Sequence, residues 1–173
     1  MQPKPAPLYG NFVPSATFIA AGTITQGMLC ILDNSGSGAG QVKAFAASDA
    51  DFASTAMEGG LVGFARHAAL VNEPVTLDII TAGSVWSIET YTTAPTAALL
   101  GVAPTTYYTL RNDAGTVKVN LGTTTNGVAR FVDRDWTDAA PFTTTARGLT
   151  PTETGAAGDR VLIQFPESVR HYQ

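Results

Sequence analysis

The sequence predicts an all-β protein of antiparallel strands preceded by an extended N-terminal arm, and three observations predict it. Alanine and threonine are the commonest residues, 17 glycines follow, and the helix formers Lys, Glu and Gln are scarce; threonine suits pleated, half-buried surfaces and glycine suits turns. Apolar residues alternate with polar ones over short runs, the period of a strand with one buried face. Clusters of Gly, Asn, Asp and Ser separate those runs, as hairpin turns do. At 173 residues the chain suits one ordinary domain or two small β modules, and it can bury a core without disulfides. Three stretches are expected: a Pro-rich arm over residues 1–17, a first β module over 18–90, and a stretch over 91–173 that forms a second module or completes the same domain.

The arm carries Pro3, Pro5, Pro7 and Pro14 with Leu8, Tyr9, Phe12 and Val13 between them, so it is extended and cannot pair as a central strand. Met28 to Leu32 is a continuous apolar run. It ends in Asp33-Asn34-Ser35-Gly36-Ser37-Gly38-Ala39-Gly40, a flexible loop before the alternating Gln41 to Phe45. That glycine cluster superficially resembles a phosphate loop, but no helix follows to supply free N–H groups. Ser48 to Gly60 reads as a surface loop and Leu61 to Ala65 as a strand. In Pro74 to Ile80, Val75, Leu77 and Ile79 face one way and Thr76 and Asp78 the other, a half-buried antiparallel strand. Thr81-Ala82-Gly83-Ser84 turns the chain into Val85 to Glu89. Beyond a Thr-, Ala- and Pro-rich connector, Thr106 to Leu110, a turn at Asn112-Asp113-Ala114-Gly115, and Thr116 to Leu121 spell a second hairpin. Val128 to Val132 and Asp159 to Phe165 supply the last strands, and the two halves echo each other faintly.

Composition excludes several classes of function. A net charge of -4 and a pI near 5.0 give no basic footprint for nucleic acid. Phe18 to Leu32 is broken by Gly22, Thr23, Thr25, Gln26 and Gly27, so neither a membrane span nor a signal peptide is expected, and the chain reads as soluble and unprocessed. One cysteine, Cys30, allows no internal disulfide and sits in an apolar run as a core residue would. His67 and His171 lie far apart, and no Cys or His spacing suits a metal. Asp133, Asp135 and Asp138 are the densest carboxylates, but the ligand register of a calcium loop is missing around them. No catalytic, cofactor-binding or metal-binding residue is expected, and the chain is read as not an enzyme. Only 14% of residues are charged, so much of the surface is neutral and can be buried against a partner with little desolvation cost.

The segment Ala20-Ala21-Gly22-Thr23-Ile24-Thr25-Gln26-Gly27-Met28-Leu29, followed by Leu61-Val62-Gly63-Phe64-Ala65, Asn72-Glu73-Pro74-Val75-Thr76-Leu77 and Thr81-Ala82-Gly83-Ser84-Val85-Trp86, resembles the capsid cement or head-decoration proteins of tailed bacteriophages. The shared order is an Ile-x-x-Gly opening strand, a variable loop, a Val-Gly-x-Ala strand, a short polar turn and a valine-rich hairpin. The resemblance covers residues 18–89; the arm and the second half extend beyond it. It implies an antiparallel β-barrel or β-sandwich of jelly-roll or tulip-like kind. It also implies assembly in the host cytoplasm onto the outer surface of the virion capsid, with the major capsid protein and further copies of the chain, as dimer or trimer, as partners. Leu8, Tyr9, Phe12 and Val13 on the arm, with Trp86, Tyr107, Tyr108, Trp136 and Tyr172 elsewhere, are the candidate contact residues. A second reading is a carbohydrate- or surface-binding module of a viral spike or fibre, with exposed Trp or Tyr as a stacking platform.

Overall fold

The computed structural model describes residues 6–7, 14–35, 38–53, 60–96, 99, 105–134 and 156–165. The strands are β1 (Ala6–Pro7), β2 (Ser15–Ile19), β3 (Leu29–Asp33), β4 (Gln41–Ala44), β5 (Ala50–Asp51), β6 (Leu61–Ala65), β7 (Pro74–Ile79), β8 (Val85–Thr90), β9 (Thr109–Asp113), β10 (Thr116–Asn120), β11 (Arg130–Arg134) and β12 (Arg160–Gln164). They form two sheets. The fold is all-β, a sandwich and not a closed barrel.

The smaller sheet has the order β2-β7-β6-β3-β4, every neighbour antiparallel. In β7 the alternation seen in the sequence is real: Val75 and Leu77 are fully buried while Thr76 and Asp78 are half-exposed. All five residues of β6 are buried, and Gly63 is the residue that lets β7 approach. A Cβ there would lie 2.1 Å from the Asp78 carbonyl oxygen, so no larger residue fits. The sheet curls until its outermost strands touch at one corner. There Ala20 and Val42 bridge in parallel, and Ala21 N–H donates to Val42 O at 2.8 Å.

The larger sheet has the order β11-β12-β8-β10-β9-β5, with β1 added against β8. It is mixed, because β10 runs parallel to β8 at Lys118↔Glu89 and Val119↔Thr90. The all-antiparallel expectation is corrected at that pair. β8 ends at residue 90 and β9–β12 follow it, so one sheet draws strands from both halves of the chain. The faint echo between the halves does not carry into topology: β3, β4, β6 and β7 are direct neighbours in the small sheet, whereas β8 separates β9 and β10 from β11 and β12 in the large one. A two-residue turn, Ala114–Gly115 with φ of 47° and 88°, closes the β9–β10 hairpin.

One hydrophobic core joins the sheets. Phe64 of β6 packs on Trp86 of β8 with ring centroids 4.7 Å apart, and on Phe165 at 6.2 Å. Cys30 lies fully buried in this core, and burial pushes its thiol up to about 12, the state of an inert packing residue.

Three expectations are corrected. β2 is a strand that the residue pattern does not predict. The Ile24 segment, expected to be the opening strand, makes one isolated bridge, to Ala69. β9 begins at Thr109 and not at Thr106. Of the arm, the described Ala6–Pro7 is extended, as expected, and forms β1.

Candidate interaction surface

The chain between β6 and β7 forms a braced turn. Arg66 N–H donates to Thr76 O at 2.9 Å, and Arg66 Nε reaches Asp78 Oδ1 at 2.5 Å. Ile24 and Ala69 exchange two main-chain bonds of 2.9 Å, and Gln26 Nε2 donates to Arg66 O at 2.7 Å. Asn72 takes the left-handed conformation with φ of 66°, tolerable for Asn, and its N–H donates to Ala20 O at 2.7 Å. Glu73 closes the tip: its carboxylate accepts the Leu70 N–H at 2.8 Å, while its own N–H donates to Leu70 O at 3.0 Å.

His67 belongs to this brace. Its Nε2 accepts the Thr76 N–H at 3.1 Å, which leaves the proton on Nδ1 for the Ala68 carbonyl, also at 3.1 Å. Both ring nitrogens are engaged with main chain, an arrangement that positions a turn.

At the tip of this turn the side chains are apolar and in water. Leu70 is 59% exposed and Val71 55%. Ile19, 41% exposed, ends the neighbouring β2 next to Ala20, the residue bonded to both Asn72 and Glu73. Three of the four large exposed hydrophobics among the described residues therefore gather at one end of the small sheet, and Val132 of β11 is the fourth. Main-chain bonds at Arg66, Ala69, Leu70, Asn72 and Glu73 hold this turn in place, and exposed apolar residues near one another mark contact sites.

Of the contact residues expected from the sequence, Trp86, Tyr107 and Tyr108 are among the described residues. Trp86 and Tyr108 are corrected: both are buried, Trp86 at 1% and Tyr108 at 5% exposure. The Trp86 ring faces inward against Phe64 and its N–H finds Ser84 Oγ at 2.9 Å, so the core already uses it. Burial also raises the Tyr108 hydroxyl above its ordinary range. Neither offers a stacking platform for a sugar. Tyr107 is half-buried. Leu8, Tyr9, Phe12, Val13, Trp136, Tyr172 and, of the acidic cluster, Asp135 and Asp138 lie outside the described residues, as does His171. Leu70 and Val71 were missed. Their signal was available: two adjacent large apolar residues directly before the turn formers Asn72-Glu73-Pro74.

Polar clusters elsewhere serve the fold. On the outward face of the large sheet, Lys118 lies 2.7 Å from Asp113 and 3.9 Å from Glu89. Arg111 stacks 4.5 Å over the Tyr91 ring, reaches Asp51 at 3.2 Å and donates to Asp49 O at 2.7 Å. Asp33 accepts from Lys43 at 2.8 Å and from the Ser35 hydroxyl at 2.6 Å, which pins the start of the following loop. Among the described residues no group of His, Cys, Asp or Glu gathers to hold a metal ion. No family model matches the sequence, and no curated protein matches it.

Proposed function

We propose that this chain is a non-enzymatic structural subunit of a virus particle, bound to the outer surface of the assembled capsid, where it bridges neighbouring major capsid proteins. The observation that carries this reading is the braced β6–β7 turn with Leu70, Val71 and Ile19 held in water. Three side chains are far too few for a stable interface alone, which buries about 800 Å² per partner. They suit an anchor that enters an apolar recess on a larger surface, while the rest of a chain with only 14% charged residues makes the broad contact. The resemblance to phage decoration proteins supports the reading from a second side: its motifs Leu61–Ala65 and Asn72–Leu77 flank this turn, although Leu70 and Val71 belong to neither. Binding of the subunit to the finished lattice then stabilises the shell by linkage, about 2.7 kcal/mol per site when free subunit stands at 100 times Kd.

The test is cosedimentation of the purified chain with capsids that lack it, followed by heating. The native chain is expected to bind and to raise the temperature at which the shells open. The double variant Leu70→Ser, Val71→Ser is expected to stay folded and lose binding. A native chain that binds no capsid, or a variant that binds as well as native, would overturn the reading.

A further inference from the structure

β2 presents an open edge that is complementary to itself: we propose that two copies of this chain pair antiparallel through Ser15–Ile19 about a twofold axis at Thr17, so that the small sheet continues from one copy into the other. Main-chain bonds fix which way each residue of β2 faces. The Pro14 carbonyl accepts the Ile79 N–H at 2.8 Å and the Ala20 N–H donates to Glu73 O at 2.9 Å, so the even-numbered residues bond to β7. The odd-numbered ones turn to the other side, where Val42 O takes the Ala21 N–H. Beyond that corner the N–H and C=O groups of Ser15, Thr17 and Ile19 meet no main-chain partner among the described residues, and all three residues are exposed.

The other sheet edges are guarded against such pairing, and this one is not. Short strands, charges and bulges keep a further strand from adding. β5 is two residues long, with Asp51 held by Arg111. β4 carries Lys43, paired with Asp33, and β11 carries Arg130 and Asp133 with a register shift between Phe131 and Asp133. β2, Ser-Ala-Thr-Phe-Ile, runs for five residues in unbroken register and bears no charge. Pro14 gives no protection, because its missing N–H lies on the β7 side with its carbonyl.

Self-complementarity makes the occupant a second copy. Residues 15, 17 and 19 all bond outward, so the twofold sets Thr17 opposite Thr17 and Ser15 opposite Ile19, each a pair that exchanges both main-chain bonds. Thr17 Oγ1 already meets Thr76 Oγ1 at 3.1 Å on the exposed face. The twofold extends that contact into a row of threonines, Thr76 and Thr17 from each copy, and cross-strand threonine pairs favour a ladder. No like charges meet along the shared strands, and the interface is isologous and closed, which ends growth at two copies.

This inference is independent of the viral reading and is tested without capsids. Sedimentation of the purified native chain, over a concentration series up to its solubility limit, is expected to show monomer and dimer in equilibrium. A chain that stays monomeric, or assembles only as a trimer, overturns the proposal. Thr17→Lys sets like charges opposite each other at an exposed position and is expected to weaken the dimer about tenfold. Cysteine variants then locate the seam, while buried Cys30 stays out of the oxidation. Across the twofold the two Thr17 Cα atoms stand about 5.5 Å apart, within reach of a disulfide, and the two Ser15 Cα atoms about 14 Å apart, beyond it. Thr17→Cys is therefore expected to link to its own copy, and Ser15→Cys only to Ile19→Cys when the two are mixed. A dimer that Thr17→Lys leaves intact, in which Thr17→Cys stays unlinked, or in which Ser15→Cys links to itself as readily, overturns β2 as the seam.

Discussion

The two sheets are assembled on different principles. In the small sheet, β3 pairs with β4 and β6 with β7, strands that follow one another in the chain, and the curled sheet meets itself at Ala21 and Val42. The large sheet recruits from everywhere: β1, β5 and β8 come from the first ninety residues, and β12, which ends at Gln164, pairs with β8. Both sheets then share one core through Phe64, Trp86 and Phe165. The difference teaches that a contact surface can sit on a locally built frame while the long-range sheet provides its foundation: the turn bearing Leu70 and Val71 belongs to the small sheet.

The contrast can be probed at four places. Phe64→Ala removes the ring that joins the sheets and should cost about 4 kcal/mol in denaturant unfolding. Fluorescence of Trp86 in the large sheet and amide exchange in β7 of the small one should fall together; two separate transitions would show the sheets to be independent units. Gly63→Ala strikes within the small sheet, where the added methyl meets the Asp78 carbonyl, and should cost about 2–3 kcal/mol. An unchanged midpoint would mean that β6 and β7 can move apart freely.

Asp33 supplies the third probe. The hydrogen bond from Lys43, then those from Ser35, hold its carboxyl down at about 2 against the ordinary 3.8. The stability it contributes is thus complete above about pH 4 and is lost as the pH falls through about 2. Asp33→Asn should lower stability by about 1 kcal/mol at neutral pH and flatten the acid limb between pH 4 and 2. An acid limb as steep as the native one would assign the effect to other carboxylates. The smallest change is expected at the tip: Leu70→Ser and Val71→Ser should each alter stability by less than about 0.5 kcal/mol, because neither side chain is buried. A larger loss would show that the tip packs against something in the free protein.

Much of this architecture was legible in the residues, and the exceptions share a cause. β6 spans the same Leu61 to Ala65 that the sequence predicts, and β7, β8 and β10 differ from expectation by about one residue, since their alternation and turns are local signals. β9 runs past its expected end because Asn112 and Asp113 read as part of a polar turn. In the fold Asn112 faces the core and is satisfied by Ala46 O, 66 positions away, and Arg111 is held by Tyr91 and Asp51. β2, Ser-Ala-Thr-Phe-Ile, carries little strand signal of its own; β7 makes it a strand. Of the aromatic candidates, Trp86 and Tyr108 fill the interior, whereas two aliphatic residues before an Asn-Glu-Pro turn stand in water.

The placement of β8 has a consequence for synthesis. Val85–Thr90 leaves the ribosome well before Arg160–Gln164, the strand that pairs along its flank, has been translated. Until then Trp86 and Ile88 belong to an apolar-rich segment whose single charge is Glu89 and whose edge is open, a pattern prone to stick to other nascent chains. Translation products that stop before residue 160 should therefore accumulate as insoluble material, so that quality control of this protein is exerted by β12.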